Sequence, residues 1–104
     1  MDVIVSGRNI EIGHALNSHI SDTIKNAADK YFGQPIDAAV TVSREGPMYH
    51  VECKVHAIHG VSLHSHAEDL DVYASFDLAA EKLEKQLRRL KRKIKNHHDS
   101  TRKP

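Results

Sequence analysis

The stretch from Leu70 to His98, LDVYASFDLAAEKLEKQLRRLKRKIKNHH, limits the possible folds more than any other part of the chain. Its apolar residues fall at Val72, Phe76, Ala79, Ala80, Leu83, Leu87, Leu90 and Ile94, spaced so that all eight line one stripe of a helix. At about 1.5 Å per residue the helix is roughly 40 Å long. Asp71 stands where an N-cap carboxylate would accept an orphan N–H of the first turn. The second half is crowded with cations: Lys82, Lys85, Arg88, Arg89, Lys91, Arg92, Lys93 and Lys95. With steps of about 100° per residue, Lys85 and Arg92 point directly away from the stripe. Arg88, Arg89 and Lys95 flank that far side, and Lys82, Lys91 and Lys93 sit on the shoulders. One edge is built for a core, and the rest is a broad basic surface.

The formal net charge of +1 hides an asymmetry. Residues 1–71 carry five Lys/Arg against ten Asp/Glu, whereas residues 72–104 carry ten against four. Positive charge gathered on one element suits a polyanion, most often nucleic acid. A solvated helix face supported by Glu81–Lys85 and Glu84–Arg88 pairs is the plainer alternative. Eight cations in fourteen positions, interrupted by one acid, exceed what solubility requires.

The rest of the chain supplies a floor for that helix. Asp2–Ser6 reads as a first strand, followed by a turn at Gly7-Arg8-Asn9. From His14 to about Phe32, Leu16, Ile20, Ile24, Ala27, Ala28 and Tyr31 form the stripe of a first helix, with Gly13 as its cap. Gly33-Gln34-Pro35 ends it. Ile36–Arg44 is a second strand. Tyr49–Ile58 is a third, with Val51, Cys53, Val55 and Ala57 alternating against His50, Glu52, Lys54 and His56. Val61–Ala67 is a fourth. Cys53 falls in the inward set and reads as a small core hydrophobe.

This order, β-α-β-β-β-α, predicts an α+β two-layer sandwich: a four-stranded sheet with two helices packed on one face. The other face, with Ile4, His50, Glu52, Lys54, His56, Ser62, His64 and His66, is polar enough to meet water. At 104 residues the chain is one modest domain. Residues 1–98 form it, and residues 99–104 are expected to be a flexible tail or the start of a linker. The longest apolar run is far short of a membrane span, the N-terminus lacks signal-peptide features, and one cysteine fits a reducing, cytoplasmic setting.

No catalytic arrangement emerges. The chain has no Gly-rich phosphate loop, no G-x-S-x-G and no exposed Cys beside a His. Nine histidines are many for this length. His56, His59, His64 and His66 come from two adjacent strands and their turn. Three readings stand: a polar outer face that tolerates imidazoles, an RNA contact that gains charge below about pH 6.5, or a zinc-type metal site. Without a CxxC or helical HxxxH pattern, no metal or other cofactor is assigned.

Two stretches resemble a known family. Val3-Ile4-Val5-Ser6-Gly7-Arg8-Asn9-Ile10-Glu11-Ile12 is similar to the N-terminal signature of the ribosome hibernation-promoting factor family, which includes the ribosome-associated translation inhibitor protein Y. Asp71-Val72-Tyr73-Ala74-Ser75-Phe76-Asp77, followed by Ala80-Glu81-Lys82-Leu83-Glu84-Lys85-Gln86-Leu87, is similar to a second signature. The resemblance covers roughly residues 2–97. It implies a domain shaped like double-stranded RNA-binding domains and no enzymatic activity. The implied partner is the small ribosomal subunit with its 16S ribosomal RNA, in the channel of messenger RNA and the A- and P-site transfer RNAs. Members inhibit translation in stationary phase or stress, preserve idle ribosomes and often promote ribosome pairing. Homodimerisation is expected only if a second domain accompanies this chain. Gly13 departs from the Thr often found in the family, and the sheet is richer in His than the family pattern.

On this reading Lys85, Arg88, Arg89, Arg92 and Lys95 are the leading RNA contacts, with Lys82 and Lys91 beside them. Lys25 and Lys30 on the first helix extend the patch, and Arg8 at the first turn is a further candidate. Tyr73 borders the stripe and reads as packing, with base stacking as its other role. A general double-stranded RNA-binding module and a histidine-based metal carrier are the alternatives.

Overall fold

The computed structural model describes residues 2–31, 37–57 and 60–102, with side chains as far as Lys95. Its elements are β1 (Val3–Arg8), α1 (His14–Tyr31), β2 (Asp37–Glu45), β3 (Met48–His56), β4 (Ser62–Asp69) and α2 (Val72–Arg102). The strands lie in the order β1-β2-β3-β4. β1 runs parallel to β2 because α1 carries the chain back across the sheet, and β2–β4 form an antiparallel meander. The predicted α+β two-layer sandwich is therefore the fold.

Alternation along the strands puts one side chain in two toward the helices. Register then lines them up. Val40 faces Cys53 and Cys53 faces Ser65; Val42 faces Val51 and Val51 faces Ala67. Onto these rows α1 lays Leu16, Ile20, Ile24, Ala28 and Tyr31, and α2 lays Phe76, Ala79, Leu83 and Leu87, all buried. Cys53 is inside this core, and burial pushes its thiol up to about 11.

Two buried serines join the layers. Ser65 Oγ donates to the Ala79 carbonyl at 2.8 Å, and Ser75 Oγ lies 3.0 Å from the Tyr49 carbonyl and 3.2 Å from that of Ala67. The start of α2 is thus bound to β3 and β4 by hydrogen bonds as well as by packing. Among the described residues, no buried side-chain nitrogen or oxygen lacks a partner.

The caps follow the sequence. Asp71 accepts the Ser75 N–H at its carbonyl (2.9 Å) and the Tyr73 N–H at its carboxylate (3.4 Å). Gly13 accepts the Asn17 N–H at 3.0 Å.

Three elements run two or more residues past their expected ends, while β3 stops at His56, short of Ala57. β1 continues through Gly7 and Arg8, which pair with Val42 and Ser43, and the reversal falls on Asn9 at φ 59°. Gly7 is needed for a close approach: a Cβ there would run into the Ile10 carbonyl and crowd the Ile12 side chain. β4 runs on to Asp69, because Glu68 and Asp69 still find partners in His50 and Tyr49. α2 runs to Arg102, past the expected end at His98; no glycine or proline interrupts it before Pro104. The stop at Gly33-Gln34-Pro35, the strand ends Ile36 and Ile58, His59 and the last two residues lie outside the described residues.

Candidate nucleic-acid interface

Leu87 is the last α2 residue in the core cluster. Fifteen residues follow it in the helix, a further 22 Å or so of rod. This overhang makes the molecule long and narrow, 58 × 21 × 18 Å. Leu90 and Ile94 continue the apolar stripe and are half-buried.

Neighbours fix which side of α2 faces what. Asp77 and Glu84 face α1, where Asp77 meets His19 at 2.9 Å and Glu84 meets Lys30 at 3.1 Å. Lys82 and Gln86 face β4: Lys82 Nζ donates to the His66 carbonyl at 3.0 Å. Gln86 accepts the His64 N–H at 3.3 Å and donates to its carbonyl at 2.7 Å. Continued at helical spacing, Arg88, Lys91 and Lys95 extend the Glu84 flank, and Arg89 extends the Gln86 flank. Lys85 and Arg92 form the crest between them, opposite the core.

All of Lys85, Arg88, Arg89, Lys91, Arg92 and Lys95 are exposed, and among the described residues none is in an ion pair. They span about 15 Å of helix. A cationic surface of this kind can meet several phosphates at once, with the three arginines able to hold phosphate oxygens in pairs.

Glu84 is engaged mainly across the helix pair. Its Oε1 takes hydrogen bonds from Lys30 Nζ at 3.1 Å and from Tyr31 OH at 2.9 Å, across the interhelical groove. Those bonds hold its carboxyl below the usual range, with Arg88 adding a smaller pull. The groove itself, about 420 Å³, is lined by Asp77, Glu81 and Glu84 beside Thr23, Asn26 and Lys30.

The remaining candidates lie elsewhere. Lys30 is occupied by Glu84. Lys25 lies on the flank of α1 away from α2, since Thr23, Asn26 and Ala27 line the groove, and Asp22 and Asp29 stand three and four residues away. Arg8 shares the outer sheet face with Ile4 and Ser6, on the opposite side of the molecule from the crest. Lys82 is held at the edge of β4. The strand-edge role of Lys82 and Gln86 is not visible in periodicity; its only trace is that the two are four residues apart on one flank.

Tyr73 is 38% exposed, with its ring centroid 5.4 Å from that of His19, whose ring also meets the edge of Phe76 at 5.5 Å. Among the described residues, no group of three or more His, Cys, Asp or Glu is arranged to hold a metal ion. No described helix is long and apolar enough to cross a membrane.

The fold and this surface define a small α+β domain that carries a projecting cationic helix. Residues 3–95 match the family model of the Sigma 54 modulation protein / S30EA ribosomal proteins, and the chain belongs to that family, the ribosome hibernation-promoting factors. It is 39% identical over 99 residues to the ribosome hibernation promotion factor of Rhizobium meliloti (strain 1021), covering 95% of this chain and 52% of that protein. It is 31% identical over 97 residues to the ribosome hibernation promoting factor of Salmonella typhimurium (strain LT2), covering 93% of this chain and all of that one. The chain thus spans about half of the rhizobial relative and the whole of the enterobacterial one. The crystal structure of the Thermus thermophilus protein Y N-terminal domain superposes with a TM-score of 0.79 at 30% identity, covering 86% of this chain and 99% of that one.

Proposed function

We propose that this domain is a ribosome hibernation factor. It binds the small ribosomal subunit in the channel of messenger RNA and the A- and P-site transfer RNAs, contacts 16S ribosomal RNA, inhibits translation and preserves idle ribosomes in the cytoplasm. Its role is binding, not catalysis. The observation that carries this reading is the stretch of α2 from Lys85 to Lys95, whose lysines and arginines are all exposed and, among the described residues, in no ion pair. Family membership supplies the polyanion, because a channel walled by ribosomal RNA is a lattice of phosphates. Lys85, Arg88, Arg89, Arg92 and Lys95 make the main contacts, with Lys91 beside them. Lys25, Lys30, Lys82 and Arg8 contribute little, given their partners and positions. Ribosome pairing would require a second domain beside this one.

Co-sedimentation with vacant small subunits tests the proposal. The parent should travel with the subunit, and the combined R88E/R89E/R92E variant should remain at the top of the gradient. Equal binding by the variant would show that the helix is not the contact. The alternative, a general double-stranded RNA-binding module, draws on the same helix. A short RNA duplex in excess should displace a general binder from the subunit and leave a ribosome-specific one in place.

A further inference from the structure

The sheet face turned away from the helices holds a second array of ionisable groups. β3 presents His50, Glu52, Lys54 and His56, and β4 presents His64, His66 and Glu68. The His50 and His66 rings are stacked with centroids 5.7 Å apart, and His64 lies 6.0 Å from His66. Each flanking ring has a carboxylate: His50 Nδ1 is 3.4 Å from Glu68, and His64 Nε2 is 3.3 Å from Glu52. Lys54 Nζ is 3.7 Å from Glu52, and Ser62 Oγ is 3.2 Å from His56 Nδ1. β1 adds Arg8 to this face, and β2 adds Asp37 and Glu45. Lys82 reaches the edge of β4 from α2 at the His66 carbonyl.

With neutral imidazoles, the strand residues of this face carry two cations, Arg8 and Lys54, against four anions, Asp37, Glu45, Glu52 and Glu68. Protonation of His50, His56, His64 and His66 turns that balance from −2 to +2. Histidine is the side chain whose charge changes in the physiological range. Glu52, hydrogen-bonded by His64, has its carboxyl held below the usual range and remains ionised as the imidazoles charge.

We infer that the outer sheet face is a second, acid-gated RNA-binding surface, repelling RNA at neutral pH and holding it when the imidazole array is protonated. The occupant is RNA because the array offers both things RNA needs: charge for phosphates, and flat rings that stack on unpaired bases. The surface is on the opposite side of the sheet from α2, so it acts independently of the helix and does not rest on the reading above.

Fluorescence anisotropy with a labelled RNA hairpin carrying a single-stranded loop tests this near pH 7.5 and near pH 5.5. The parent should bind about tenfold more tightly at the lower pH, and its dependence on salt should steepen by about two phosphate contacts. The H50Q/H64Q/H66Q variant should bind like the parent at pH 7.5 and lose the acid increment, while keeping every other histidine of the chain. The E52Q/E68Q variant removes two anions and should bind more tightly than the parent at pH 7.5. Circular dichroism at both values checks that each variant is folded. No acid increment in the parent, or an increment that survives H50Q/H64Q/H66Q, would overturn the inference. The R88E/R89E/R92E variant separates the two surfaces: it should still show the gain at pH 5.5.

Discussion

Single residues show best how far spacing can be trusted. Gly7 looks like turn punctuation in the sequence, but it sits inside β1, where the chain folds back so that the Ile10 carbonyl occupies the space of a side chain. Gly7→Ala should therefore destabilise the domain by about 1–3 kcal/mol, the range for an overpacked site, measured against the parent in a urea titration. A midpoint equal to the parent's would remove the steric argument. The inward set of β3 and the stripe of α2 were legible because each follows one period. The cations were legible only as types. Lys30 and Lys82 look as free as Arg88 until α1 and β4 are placed beside them, since their partners are distant in sequence. Arg8 looks like a neighbour of the patch until strand parity sends it to the other side of the sheet.

At the scale of elements, α2 is fastened to β4 by more than its stripe. β4 is an edge strand, and open strand edges are templates for unwanted pairing. Gln86 returns both hydrogen bonds of His64, as an adjoining strand would, and Lys82 takes the His66 carbonyl. Gln86→Ala should cost about 1 kcal/mol and speed hydrogen exchange at the His64 amide, with exchange in β2 little changed. Unchanged exchange at His64 would show that the clamp protects nothing. The α1–α2 contact has a different signature. The carboxyl of Glu84 is held below its unfolded value by Lys30 and Tyr31. Its stabilisation is thus complete above the unfolded value and is lost as pH falls through the folded one, in the acid range below the ordinary glutamate value. Melting temperatures over that range should fall less steeply for Glu84→Gln than for the parent. Element order and type could be read from the sequence, whereas α2 outran its expected end because polarity alone does not stop a helix.

For the whole molecule, the decisive feature is the separation of a compact core from a cationic rod. It follows from where the sheet ends relative to the stripe, which no local window of sequence contains. Binding through five phosphate contacts should weaken roughly twentyfold between about 0.1 and 0.2 M salt, and charge reversal on α2 should flatten that slope. A salt-independent affinity would point to a contact of another kind. The most direct test is a density map of the domain on a vacant small ribosomal subunit near pH 7.5, where the sheet face is not engaged. The account predicts Lys85, Arg88, Arg89, Arg92 and Lys95 against ribosomal RNA phosphates in the messenger RNA and transfer RNA channel, with the histidine face turned from RNA. A map with the α2 crest facing solvent, or with the domain outside the channel, would contradict it.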